Sequence, residues 1–190
     1  MKKTSLTFIY HGYAPWYFTD IRLLKECGYK VFPIKYTNIK DAPKLMKLIK
    51  NTDVSLSWFA DRHSVAQVIF SKLFGKKSIV IAGGYDAANC PEFNYGSMQH
   101  PIRKWISIIS FKLADIVFTV STSTKREVLR EVKPKKIMVV HSPVDVEKFV
   151  PKGKKKNFVL TTSMIDNNTL IKKGLIAFVK SAKFLPDTEF

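Results

Sequence analysis

Ala114-Asp115-Ile116-Val117-Phe118-Thr119-Val120-Ser121 is an apolar, β-branched run of strand length that ends on small hydroxyl residues able to cap a helix. A helical segment from Ser123 to Val132 follows, then Pro134, then a second apolar strand through Lys136-Ile137-Met138-Val139-Val140. Strand, helix and strand at this spacing make one unit of a parallel sheet. The loop Ser121 to Thr124, at the tip of the first strand, then lies on the edge where open α/β sheets bind ligands.

The same alternation extends toward the N-terminus. Leu6 to Tyr10 reads as a buried strand, followed by the loop His11-Gly12-Tyr13-Ala14-Pro15. Pro15, Trp16, Tyr17 and Phe18 open a helix whose Ile21, Leu24 and Cys27 recur at spacings of three and four, and Gly28 ends it. Lys30 to Lys35 is the second strand, and Asp41 caps a helix with an apolar face of Leu45, Leu48 and Ile49. Val54 to Trp58 is the third strand. The helix opened by Asp61 is expected to turn Val65, Val68, Ile69 and Leu73 inward. Lys77 to Ala82 is a near-continuous apolar run, suited to a sheet covered on both faces. A polar loop from Gly83 to Gly96 is long enough to suggest function. In the helix from Pro101 to Ala114, Ile102, Trp105, Ile106, Ile109 and Leu113 are expected to face the core, leaving Ile108 and Phe111 on the other side beside Lys104.

Beyond the organising unit, Pro151-Lys152-Gly153-Lys154-Lys155-Lys156 reads as a linker. Phe158 to Thr161 is expected to be a strand, Leu170 to Phe184 a helix, and Pro186 to Phe190 the start of another strand. The predicted fold class is therefore α/β, a Rossmann-like parallel sheet with helices on both faces. Its boundaries are 1–151 for the first domain, 152–157 for the linker, and 158–190 for the first strand and helix of a second domain too small to fold alone.

The 190 residues carry a net charge of +17, from 32 basic residues of which 27 are Lys and five Arg. So few Arg forks disfavour base-edge reading. The lysines suit an anionic surface in general, or the solvated surface of a thermophile's protein. Cys27 and Cys90 have no metal-ligand spacing and read as reduced thiols in a cytoplasmic protein. No apolar stretch reaches the roughly 20 residues of a membrane span.

Four motifs in this order resemble those of group 1 (family 4) glycosyltransferases. Ala82-Gly83-Gly84-Tyr85-Asp86 resembles the H-G-x-D loop after their fourth strand. Ala114 to Ser121 resembles their AD-x-(hydrophobic)-x-x-V-S segment. Val144-Asp145 with Phe149 and Pro151 resembles N-G-V-D-x-x-x-F-x-P. Lys173-Gly174 resembles the K-G that opens the second domain's first helix. Together the motifs span about residues 77–184. The resemblance implies the N-terminal half of a GT-B fold, in which the first domain binds the acceptor and the second a nucleotide-sugar. It implies transfer with retention, with the nucleotide-sugar as co-substrate and neither a metal nor another cofactor. The sequence departs from the pattern at Gly83, which stands where the family usually carries His, and at Ser142-Pro143, which replaces Asn-Gly. The family's acidic E-x(7)-E motif would lie past Phe190, so the fragment alone is expected to be inactive.

On this reading His11, Tyr13, Asp86 and Ser121 are the acceptor-binding candidates. Each has a plainer alternative: packed and hydrogen-bonded for His11 and Tyr13, a turn residue for Asp86, a helix cap for Ser121. Lys173 and Ser163 are the candidates for the donor phosphates, Lys173 because an ammonium at a helix start can hold a diphosphate. No catalytic base is named. Trp16, Lys104, Ile108 and Phe111 could form an apolar patch ringed by Lys. That patch would suit an anionic membrane surface or a lipid-linked acceptor on the cytoplasmic face, or would pack against a neighbouring element. The partners expected are a nucleotide-sugar donor, a glycan or lipid-linked acceptor and an anionic membrane, with no specific nucleic acid. The alternative is a non-catalytic basic module that binds nucleic acid or another anionic partner through charge alone.

Overall fold

The structure, a computed structural model, describes residues 3–144, 146–154, 156–163 and 169–190. Asp145 of the third motif, Lys155 of the linker and the loop residues Asp166 to Asn168 lie outside them. The chain divides into two compact units, Met1–Asn89 with Gly96–His141, and Cys90–Tyr95 with Ser142–Phe190.

The first unit holds a six-stranded, all-parallel sheet in the order β2-β1-β3-β4-β5-β6. The strands are β1 (Ser5–Tyr10), β2 (Lys30–Lys35), β3 (Val54–Trp58), β4 (Lys77–Ala82), β5 (Ile116–Thr119) and β6 (Ile137–Val139). The helices that connect them are α1 (Pro15–Glu26), α2 (Ala42–Lys50), α3 (Arg62–Leu73), α4 (Pro101–Leu113) and α5 (Thr122–Glu131). Period-two alternation divides the strand residues between two faces. Leu6, Phe8, Leu56 and Trp58 pack with Tyr17 and Ile21 of α1 on one face. Ile9 and Ile34 pack with Leu45 and Ile49 of α2 on the other, where Val80 and Val117 meet Val68, Phe111 and Val128 of α3, α4 and α5.

Helices α3 and α4 are rotated from the expectation set by apolar periodicity. In α3 the buried residues are His63, Ser64, Gln67, Val68 and Ser71, whereas Ile69 and Leu73 are exposed. The cause lies in β3, which presents Ser55 and Ser57 to this helix. Ser55 Oγ lies 2.8 Å from Ser71 Oγ and Ser57 Oγ 2.9 Å from Ser64 Oγ, and Gln67 Nε2 donates to Ser55 Oγ and to the Ile79 carbonyl at 3.0 Å. Small hydroxyls that bond one another let helix and sheet approach closely at little desolvation cost.

In α4 the buried face is Ser107, Ser110 and Phe111, while Ile102, Trp105 and Ile109 face outward. Ser107 Oγ donates to the Ala60 carbonyl at 2.9 Å. Ile102, Trp105 and Ile109 of the expected core face thus lie on the outer face, whereas Leu113 does pack against the core. Phe111 is fully buried among Val80, Ala82 and Val117, so it cannot belong to a membrane-contacting patch. Lys104 also turns away from that role, pairing with Glu131 of α5 at 2.7 Å.

In the second unit, the strand expected over 158–161 reduces to a single parallel bridge between Phe158 and Glu189. The long helix expected over 170–184 is broken. It runs as α6 (Thr169–Lys172) and α7 (Leu175–Ser181), followed by a 3-10 turn at Ala182–Phe184. Gly174, with φ of +69°, makes the break, so Lys173 sits in the turn between two short helices.

Candidate functional site

The strand order places the chain's change of direction at β1 and β3. The α1 crossover leads from β1 to β2 on one side, and the α2 crossover returns across β1 to β3 on the other. Connections that leave adjacent strand tips in opposite directions open a crevice between them. His11 follows β1, Phe59 to His63 follow β3, and Tyr36 to Asn38 follow β2. All of these line one cleft of about 1090 Å³, together with Tyr85 and Asp86 after β4 and with Ile102, Arg103 and Ile106 of α4.

Two imidazoles stand at the crevice. Their rings stack with centroids 6.3 Å apart and planes 9° from parallel. His11 Nδ1 donates to the Tyr36 carbonyl at 3.0 Å and His63 Nε2 to the Trp58 carbonyl at 2.7 Å. A carbonyl can only accept, so these bonds fix the tautomers and leave His11 Nε2 and His63 Nδ1 as the remaining ring nitrogens. Burial holds His63 below the usual imidazole range, against the opposing pull of the Trp58 carbonyl. A neutral His63 can then accept a proton or a hydrogen bond from a hydroxyl.

The loop beneath the pair is pinned from two directions. Asp86 is almost wholly buried; its Oδ2 accepts from the Ala60 N–H at 2.8 Å and its Oδ1 from the Gly84 N–H at 2.9 Å. Burial pushes its carboxyl up to about 6, although the backbone N–H groups of Ala60 and Gly84 work in the other direction. Asp86 therefore ties the β4 loop to the tip of β3. Phe59, between them, has φ of +66°, in the left-handed region that non-glycine residues rarely enter. Its Cε1 lies 2.1 Å from where a Cβ on Gly83 would stand. The glycine at the position where the family's motif has His thus has a local cause: the Phe59 ring fills the space a side chain would need.

Of the sequence candidates, His11 and Asp86 come together in this cleft. Tyr13 is 80 % exposed and packs its ring on Phe18, 5.4 Å between centroids, outside the cleft lining. Ser121 caps α5, its Oγ accepting from the Thr124 N–H at 3.1 Å. Trp16 and Ile108 stand outside the lining, while Lys173 and Ser163 belong to the second unit. His63, Arg62 and Arg103 line the cleft and are not among those candidates. The signal that could have found His63 is its place two residues after the Asp61 cap, near a strand tip. Its pairing with His11 depends on β1 and β3 being neighbours, which the local pattern does not encode.

Residues 7–148 match the sequence profile of Glycosyltransferase Family 4. The chain belongs to this family. No curated protein matches it. Among solved structures, one assigned as a UDP-N-acetylglucosamine 2-epimerase from Listeria monocytogenes superimposes with a TM-score of 0.51 at 15% identity, over 70% of this chain and 43% of its own. The UDP-GlcNAc 2-epimerase of Methanocaldococcus jannaschii gives a TM-score of 0.44 at 12% identity, over 72% and 45%. MnaA of S. aureus, solved with UDP, gives 0.48 at 10% identity, over 67% and 40%. The chain spans less than half the length of these structures. Family and Listeria likeness together give the Rossmann-like α/β sheet of a GT-B N-terminal half. Among the described residues no helix is long and apolar enough to cross a membrane, and no cluster of His, Cys, Asp and Glu could hold a metal ion.

Proposed function

We propose that the first unit is the acceptor-binding domain of a retaining glycosyltransferase that draws its sugar from a nucleotide-sugar. The observation that carries the proposal is the cleft at the switch point of a family 4 sheet, with a stacked, tautomer-fixed histidine pair in its lining. His11 Nε2 and His63 Nδ1 are the groups that would orient an acceptor hydroxyl. Asp86 holds the floor and Ala60 in place through its backbone bonds. Tyr13 and Ser121 belong to the same reading as outer contacts, and Lys173 and Ser163 as donor-phosphate contacts in the second unit. Those four roles rest on the family resemblance. The departing phosphate can take the acceptor's proton, so retaining transfer requires no protein base in this half.

The test is transfer from labelled nucleotide-sugars by the full-length protein. Soluble glycans and lipid extracts serve as acceptors, with the product anomer read by NMR. Retained configuration is expected. His11→Gln should lower kcat/KM at least tenfold without changing thermal stability, because His11 is exposed at the cleft edge. An inverted product, or full activity in His11→Gln, would refute the assignment.

A further inference from the structure

Two residues of the cleft lining, Tyr17 and Phe59, belong to an aromatic cluster that continues beyond it. Between centroids, the Trp58 ring lies 5.6 Å from Phe59, 6.2 Å from Tyr17 and 6.3 Å from Trp16, and Trp16 lies 5.5 Å from Tyr17. Tyr17 and Trp58 are buried, whereas Trp16 is 47% exposed. Trp16 therefore carries the cluster out of the cleft and onto the surface of α1. The neighbouring rings support its indole, so ordering that indole against a ligand costs little entropy.

A carboxylate stands beside this ring. Asp20 follows Trp16 by one turn, on the same side of α1. Its Oδ2 accepts from the Trp58 Nε1–H at 2.8 Å, and among the described residues no Lys or Arg pairs with it. Asp20 is half-buried, and burial raises its carboxyl against the opposing pull of the indole N–H. A carboxylate has about four lone-pair sites, so one bond to Trp58 leaves capacity for hydroxyl donors. A pyranose ring presents C–H bonds on its face and hydroxyl donors at its edge. The electron-rich face of an indole attracts the first, and a carboxylate accepts from the second. The same carboxylate repels a phosphate and disfavours a hydrocarbon chain through its own need for solvation.

We infer that Trp16 and Asp20 form an outer saccharide subsite, in which a neutral pyranose stacks on the indole while its hydroxyls donate to the Asp20 carboxylate. This rests on the acceptor reading of the cleft and deepens it: the subsite holds a sugar unit of the acceptor other than the one whose hydroxyl reacts. Tyr17 and Phe59 join the subsite to the cleft, and both lie with Trp16 and Asp20 in the first unit. A chain of sugars that reaches from cleft to subsite then binds better than a single sugar.

Calorimetry on the full-length protein measures binding of cellotriose and chitotriose, whose all-equatorial rings expose flat C–H faces, against glucose and N-acetylglucosamine. At least one trisaccharide should bind about tenfold more tightly than its monosaccharide. Trp16→Ala should weaken that binding about tenfold, and Trp16→Phe by less than about threefold, because an aromatic face is kept. Asp20→Asn should weaken it about fivefold, since an amide still reaches Trp58 but accepts less strongly from sugar hydroxyls. Trp16 is half exposed, so Trp16→Phe should leave thermal unfolding unchanged. Failure of both trisaccharides to bind overturns the inference. So does unaltered binding in Trp16→Ala, or displacement of the trisaccharide by tetramethylammonium at equal concentration, which would assign a cation site. Transfer to soluble glycans with an unchanged acceptor KM in Trp16→Ala would sink the outer subsite alone. Trisaccharide binding that depends on Trp16, without any transfer, would instead sink the glycosyltransferase reading.

Discussion

Two residues in the loop after β4 carry testable strain and charge. Gly83 tolerates no side chain while Phe59 keeps its place, because a Cβ would stand 2.1 Å from the Phe59 ring. Gly83→Ala should lower stability by about 1–3 kcal/mol, the usual cost of overpacking. Phe59→Gly removes the ring and the left-handed strain together, so Gly83→Ala should cost almost nothing in that background. A double-mutant cycle by thermal unfolding checks this, and additive effects would show the contact to be energetically idle. Asp86 carries the pH dependence. Its folded value is raised to about 6 from an ordinary 3.8, so burial favours the protonated form. The stability this adds is fully present below pH 3.8 and is lost as pH rises through about 6, a span of roughly 3 kcal/mol. His63, held low by burial, acts with the opposite sign, its contribution to stability being lost as pH falls. The informative quantity is therefore the stability of wild type minus that of Asp86→Asn. That difference should fall as pH rises from 4 to 6.5. A flat difference would mean that Asp86 is ionised in the fold at every pH tested.

At the scale of the element, α4 makes the sharpest contrast between pattern and packing. Ser107 is fully buried against Ala60 and Ile102 is 74% exposed. Ser107→Leu should therefore destabilise by about 1–3 kcal/mol, and Ile102→Ser should stay within about 0.5 kcal/mol. Chemical denaturation ranks the two, and the reverse ranking would restore the apolar face as the core face. The strands were legible because β-branched runs such as Val117 and Val80 sit in a sheet covered on the α3–α5 face. The faces of α3 and α4 were not, because an apolar stripe reports the core only when the opposing surface is apolar. Here β3 offers Ser55 and Ser57, and small hydroxyls on the helices answer them. The same exchange hid part of the site. His11 could be read from its place after β1, but His63 and the arginines belong to helices whose orientation depends on how they meet β3 and its tip. The break at Gly174 was missed for a different reason: apolar spacing runs through it, and only the positive φ interrupts the helix.

The whole molecule concentrates its organisation in one part of the chain. All three buried clusters draw their residues from between Leu6 and Val128, and the second unit has no buried helix residue among those described. A strand that pairs at one position and helices of four and seven residues bury too little apolar surface to offset their own ordering. The cleft and the histidine pair likewise lie within the first unit. A chain ending at His141 should therefore keep a single cooperative unfolding transition, with its midpoint within about 5 °C of the full chain, since no core contact is removed. Calorimetric unfolding decides it. A broad, uncooperative transition would mean that residues 142–190 contribute to the core of the first unit.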